Sequence, residues 1–280
     1  MDAKLSARPW HDYFEYGNPH RPLSWECPYH LTPEEKRRIS ASIQQFQLGE
    51  SSDGKGLLRR GWAHGRATSD PYFAAALALF IREEQRHSAY LGRFMDREGI
   101  SCLSGHWIDN VFRRLRSLGG LESCIRTLVT AEVIAVPYYR ALRDATESPL
   151  LQAICDLILA DEAQHLRYQA HNLARLGRQR AAWVARLCDA AQRGFLLTTL
   201  TVVCLSHRNV FRAAGLRYSR LCAGALEQWS GIVEEADRLL GRAPAGAGDL
   251  AQPVMRPQAP PSASLKRTQR TARPSGAWLG

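Results

Sequence analysis

Two Glu-x-x-His motifs, Glu84-x-x-His87 and Glu162-x-x-His165, each sit inside a run of apolar residues spaced for one face of an α-helix. Around the first, Phe80, Glu84, His87, Leu91 and Phe94 step by 4, 3, 4 and 3, and around the second, Leu151, Cys155, Ile158, Glu162 and His165 do the same. Two other helical stripes carry an inward acid without the histidine. One runs Ile39, Ile43, Phe46, Glu50, Asp53 and Leu57; the other runs Leu121, Ile125, Leu128, Glu132, Ala135, Tyr139 and Leu142. Four helices therefore each aim a glutamate at the side that must be buried. A buried, uncompensated carboxylate costs several kcal/mol against a total stability of about 5–15 kcal/mol, so the four need a shared positive centre.

Two divalent cations would balance the four carboxylates of Glu50, Glu84, Glu132 and Glu162, with His87 and His165 as neutral ligands. Oxygen and imidazole donors suit iron or manganese better than the thiolate-seeking metals. With 15 Glu and 9 His in the chain, chance supplies roughly half of one Glu-x-x-His, and two are present. Each lies 13 residues after a helix-opening proline, Pro71 or Pro149. Each also follows a lone inward glutamate, Glu50 by 34 residues and Glu132 by 30, which makes an internal two-fold repeat. Glu35 and Asp53 are the alternatives to Glu50 on the first helix. One Glu from each of two helices and a Glu-x-x-His from each of the other two is the ligand arrangement of ferritin-like di-metal bundles. The expected fold is all-α, a ferritin-like four-helix bundle with a long crossover and two additional C-terminal helices.

In full, the motifs read Glu83-Glu84-Gln85-Arg86-His87 and Asp161-Glu162-Ala163-Gln164-His165. Over about residues 40–176 the sequence resembles the ferritin-like di-iron carboxylate proteins. The acid-Glu-x-Arg-His form of the first motif resembles their oxygen-activating branch, the acyl-carrier-protein desaturases and bacterial multicomponent monooxygenases. The second motif departs from that form, with Gln164 in the place of the arginine. The resemblance implies that the acid before each ligand glutamate hydrogen-bonds the histidine of the opposite motif, so that Asp161 orients His87 and Glu83 orients His165. A carboxylate on the second imidazole nitrogen fixes the tautomer and raises ligand basicity. Asp53, one turn beyond Glu50, is a candidate for a similar supporting role.

Helix signals divide the rest of the chain. Thr32-Pro33-Glu34-Glu35 opens a first helix expected to reach about His64 despite Gly49, Gly54 and Gly56. Asp70-Pro71 opens a second to about Glu98, Leu121–Ala145 forms a third, and Ser148-Pro149 opens a fourth to about Leu176. Residues 99–118 are long enough for a crossover to the other end of the bundle. Pro137, five residues after Glu132, removes a helix hydrogen bond and points either to a kink or bulge in the third helix beside the small residues Ala131 and Ala135 or to ordinary curvature. Helices at Ala181–Ser206 and Leu216–Leu240 read as extra packing or an oligomer surface. The division is then 1–31, an irregular aromatic extension wrapping the surface; 32–176, the di-metal bundle; 177–241, the added helices; and 242–280, a disordered basic tail. His64, His106, His171 and His207 lack a matching partner and read as surface or core histidines.

Half of the net charge of +10 falls on that tail, where Arg242, Arg256, Lys266, Arg267, Arg270 and Arg273 face Asp249 alone. The charge is therefore a weak argument for nucleic acid and is compatible with an acidic carrier protein. Seven dispersed cysteines, with no Cys-x-x-Cys pair, fit reduced thiols in a cytoplasm. No apolar run reaches the roughly 20 residues of a membrane span. The resemblance and the ligand set together imply a non-haem di-iron oxidoreductase, with manganese or a mixed pair as variants. Such a protein activates dioxygen to hydroxylate or desaturate an organic substrate. The alternatives are a ferroxidase or rubrerythrin-like peroxidase, and a non-enzymatic metal-binding helical scaffold. Lacking a Gly-x-Gly-x-x-Gly loop and an iron–sulfur cysteine motif, the chain calls for a separate ferredoxin or reductase. A homo-oligomer is expected. Deleting residues 243–280 should leave both Tm and metal content unchanged, as read by thermal denaturation and elemental analysis, because a tail of that composition has no core to contribute.

Overall fold

The computed structural model describes residues 5–17, 22–107, 111, 114 and 119–242. The tail from 243 and residues 108–110, 112–113 and 115–118 of the crossover lie outside the described residues. Nine α-helices are described: α1 (Arg8–Asp12), α2 (Pro33–Glu50), α3 (Lys55–Thr68), α4 (Tyr72–Arg97), α5 (Leu121–Asp144), α6 (Pro149–Gly177), α7 (Ala182–Ser206), α8 (Arg208–Ala213) and α9 (Tyr218–Leu239). No strand occurs among the described residues. Packing joins α2 to α4 and α5 to α6, and α4 also meets α6, so the four helices that carry the inward glutamates surround one core. Ile39, Ile43, Leu91, Ile125, Leu151 and Ile158 from these stripes are fully buried, and each stabilises the bundle by about 1.5–3 kcal/mol relative to exposure.

The starts of α2 and α6 follow their sequence signals. Thr32 Oγ1 accepts from Glu35 N at 3.2 Å while the Glu35 carboxylate accepts from Thr32 N at 2.9 Å, a reciprocal capping box ahead of Pro33. Ser148 Oγ accepts from Leu151 N at the head of α6. Glu35 is thereby committed to a helix end, where it also accepts from Tyr29 Oη at 2.8 Å and Thr146 Oγ1 at 3.1 Å, and it takes no part in the glutamate cluster. Asp70 Oδ1 accepts from Tyr72 N at 3.1 Å at the start of α4, and its Oδ2 accepts from Ala7 N at 2.9 Å and pairs with Arg175 of α6. One buried acid thus ties three segments together.

Two expectations need correction. The first helix does not run unbroken to His64. It stops at Glu50 and restarts as α3, because Gly54 at the α3 N-cap is left-handed, with φ of 60°, and passes so close to α4 that a Cβ there would lie 2.4 Å from Ile81 Cδ1. The N-terminal extension is irregular over residues 22–31 but not over 8–17. Arg8–Asp12 is helical and Tyr13–Gly17 forms a π-helical turn, burying Leu5, Ala7, Trp10 and Phe14. The spacing of Trp10, Tyr13 and Phe14 puts the three rings on one face of such a turn. The helix α5 continues through Pro137 to Asp144. Among the C-terminal helices, α9 packs on α6, α5 and α7, while the short α8 bridges α5 and α2. No helix among the described residues is long and apolar enough to cross a membrane. Gly54→Ala should destabilise the fold by about 1–3 kcal/mol, combining a strained φ with the overlap on Ile81, and the check is a lower Tm in thermal denaturation.

Candidate metal centre

Glu50 closes α2, Glu84 and His87 lie within α4, Glu132 within α5, and Glu162 and His165 within α6. The helices turn these side chains toward one another. Ligand atoms of Glu50, Glu84 and His87 lie within 4.8 Å of each other, as do those of Glu84, Glu162 and His165. Glu84 belongs to both groups and stands between them. Glu132 lies outside both groups of three, yet its charge bears on Glu84 and Glu162. The two histidines are fully buried, Glu162 and Glu132 nearly so, and Glu84 keeps a side chain 19% exposed, on the wall of the adjoining cavity.

Each imidazole is held from behind by the acid preceding the opposite motif's glutamate. His87 Nε2 lies 2.9 Å from Asp161 Oδ2, and His165 Nε2 lies 3.0 Å from Glu83 Oε2. Arg86 Nη2 donates to both acids, at 3.1 Å to Glu83 Oε1 and 3.1 Å to Asp161 Oδ2, and so ties the two braces into one network. This arrangement leaves Nδ1 of each ring aimed inward. His165 Nδ1 lies 2.9 Å from Glu84 Oε1 and 3.6 Å from Glu162 Oε2, and neither contact has the geometry of a hydrogen bond. His87 Nδ1 and Glu132 Oε2 also have no hydrogen-bond partner. Five buried lone-pair atoms, on Glu84, His87, Glu132, Glu162 and His165, are therefore left unsatisfied in one place. Buried polar atoms are nearly always paired, so a cluster of acceptors without donors fits a bound cation.

The electrostatics point the same way. Burial, reinforced by Glu84 and Glu162, pushes the Glu50 carboxyl well above its ordinary range. Burial likewise raises Glu132 strongly and Glu162 to a lesser degree. Glu84 is the exception: burial acts upward on it most strongly, but His165, His87 and Glu50 together overcome burial and bring it down to about 2. His165 is held well above the usual imidazole value, since Glu162, Glu83 and Glu84 together overcome burial. Without added positive charge, the cluster must take up protons.

Three supporting residues were not anticipated from the sequence. Tyr139 Oη donates to Glu50 Oε1 at 2.7 Å, and Gln169 Nε2 donates to Glu132 Oε1 at 2.9 Å, itself steadied by Asn172 Nδ2 at 3.2 Å. Arg86 is the third. Gln169 carried a legible signal, a polar residue two turns after Glu162 on a buried face; the reach of Tyr139 from α5 across to α2 carried none. Asp53, a candidate for support, falls in the loop after α2 with its side chain 59% exposed and 3.0 Å from Lys55 Nζ. The break at Glu50 takes it off the helical stripe.

Aromatic rings cover the His165 side. Phe80 sits edge-on at 4.8 Å between ring centroids, and Phe14 of the N-terminal segment at 6.2 Å. On the side of the four glutamates lies a cavity of about 350 Å³, walled mostly by apolar residues such as Phe46, Ile81, Leu128, Ile134 and Val203. Exposed Asp53 and Lys55, with Arg60, stand along its rim.

A chain with no strand among its described residues, gathering acids and histidines from four helices in this way, has the ferritin-like helical fold. Two solved structures of R2-like ligand-binding oxidase variants with anaerobically reconstituted Mn/Fe cofactor match it, one with a TM-score of 0.56 at 13% identity and the other with 0.53 at 16%. Each match covers 84% of this chain and 94% of the oxidase chain. No family model matches the sequence, and no curated protein is similar to it. Glu84→Ala should lower the metal content of protein purified from iron-supplemented cells. Asp161→Ala should keep most of the metal with affinity weakened about 10 to 100-fold; elemental analysis and chelator competition measure both.

Proposed function

We propose that this protein is a di-metal oxidase in which Glu50, Glu84, His87, Glu132, Glu162 and His165 hold two metal ions and dioxygen serves to oxidise an organic substrate. The observation that carries the reading is the convergence of five unsatisfied buried lone-pair atoms on one centre, beside a cavity. A pair of irons, or manganese with iron as in the oxidases of similar fold, would supply the redox capacity that no side chain here has.

The chain's own contribution is geometry and exclusion of water. Asp161 and Glu83 hold the imidazoles with Nδ1 turned inward, and Arg86 offsets the charge that these two acids bring to the network. Tyr139 and Gln169 each engage one oxygen of Glu50 and Glu132, leaving the other oxygen of each for a metal. Phe14 and Phe80 close the His165 side, so access runs through the cavity. Glu84, the one ligand candidate partly exposed, lies where an incoming molecule meets the cluster.

The cavity favours oxidation of an organic substrate over ferroxidase or peroxidase chemistry, which needs no apolar chamber of this size. Electrons would come from a separate ferredoxin or reductase. In the test, the ferrous protein is mixed with oxygen by stopped flow and the iron oxidation state followed by Mössbauer spectroscopy. Oxidation by dioxygen, with repeated turnover once an electron donor is added, is the expected result. Iron that stays ferrous in air, or reacts with peroxide and not with oxygen, would shift the assignment to the peroxidase reading.

A further inference from the structure

The cavity beside the cluster is not uniformly apolar. The face of α7 that lines it presents Thr199, Val203 and, at the helix end, His207, residues one helical turn apart in succession. His207 is 4% exposed. Its Nδ1 lies 2.8 Å from Ser42 Oγ, and Ser42 donates onward to Tyr138 Oη at 3.2 Å. A serine hydroxyl has a single hydrogen to give. With that hydrogen spent on Tyr138, Ser42 receives from His207, so Nδ1 carries the imidazole proton. Phe46 stacks on Tyr138 with ring centroids 3.3 Å apart and meets His207 edge-on at 5.1 Å, which fixes the plane of the imidazole. Burial, with the charge of His106 on the same cavity adding to it, lowers the His207 pKa to about 4, so the ring is neutral near pH 7. A neutral imidazole protonated on Nδ1 has only a lone pair at Nε2, and among the described residues no hydrogen bond to a protein group occupies it.

We propose that the cavity selects a neutral molecule with an apolar body and a hydroxyl or N–H group, held by donation of that group's hydrogen to Nε2 of His207. The proposal rests on the reading of this cavity as a substrate pocket. The lone pair that accepts from an alcohol repels a carboxylate or phosphate, and a ketone of the same length has no hydrogen to offer. His207 reaches Glu50 through intermediaries, since its ring meets Phe46, Phe46 meets Tyr139, and Tyr139 holds Glu50. It would act as a specificity-determining contact.

The test measures binding of 1-octanol, 2-octanone and octanoate to the full chain by titration calorimetry, without reference to turnover. The alcohol should bind about tenfold tighter than the ketone, the size of one buried hydrogen bond, and tighter than octanoate. His207→Phe should remove the preference for alcohol over ketone. Ser42→Ala, which frees the tautomer, should reduce it. If the Phe variant does not fold, nitrogen NMR of the wild-type imidazole decides: the proton should reside on Nδ1, and octanol should shift the Nε2 resonance. Equal or reversed affinity of alcohol and ketone, tightest binding by octanoate, no saturable binding of the alcohol, or a proton on Nε2 would overturn the proposal. Failure of the oxidase reading appears separately, as iron inert to oxygen in a protein that still prefers the alcohol.

Discussion

The structure is organised around the cost of holding four carboxylates together away from water. Each of the four principal helices contributes one, and the apolar stripe that carries it cannot be buried without burying the acid as well. The braces behind the histidines, the hydrogen bonds to Glu50 and Glu132 and the aromatic cover over His165 all serve to make that burial tolerable. None removes the deficit of positive charge. Arg86 is committed to Glu83 and Asp161, and the inner oxygens still face only one another and the imidazoles.

The cross-bracing has a mechanical side. Asp161 of α6 reaches the histidine of α4, and Glu83 of α4 reaches the histidine of α6. Each motif thus fixes the ligand of the other, and α4 cannot slide along α6 without breaking both contacts. Asp70 and Arg175 join the same two helices at a second level and also anchor the backbone of Ala7 and Leu5. Register between the helices is set by polar contacts of defined length, while apolar packing supplies the bulk of the stability.

Much of this was legible in the sequence because a helix converts spacing into direction. The steps from Phe80 to Phe94 and from Leu151 to His165 suffice to turn two Glu-x-x-His pairs inward, and the helix-opening prolines fix the register of each. What was not legible depends on tertiary approach. The stop after Glu50 follows from how closely Gly54 passes Ile81, a distance that no local pattern encodes. The aromatic N-terminal segment looked irregular because five helical residues give too little periodicity to read. His207 looked like an ordinary core histidine, since its significance comes from Ser42, distant in sequence, and from the cavity that α7 closes.

Where α2 ends has a consequence for compliance. Glu84, Glu132 and Glu162 project from the middle of long helices, where the backbone is held by hydrogen bonds on both sides. Glu50 is the last residue of its helix, follows Gly49 and precedes a loop that turns at a left-handed glycine. Three of the four carboxylates are therefore mounted on rigid rods and the fourth on a hinge. Were the centre to take up ions of different radius and charge, Glu50, at a helix end on the wall that faces the cavity, is the carboxylate whose backbone is held from one side alone.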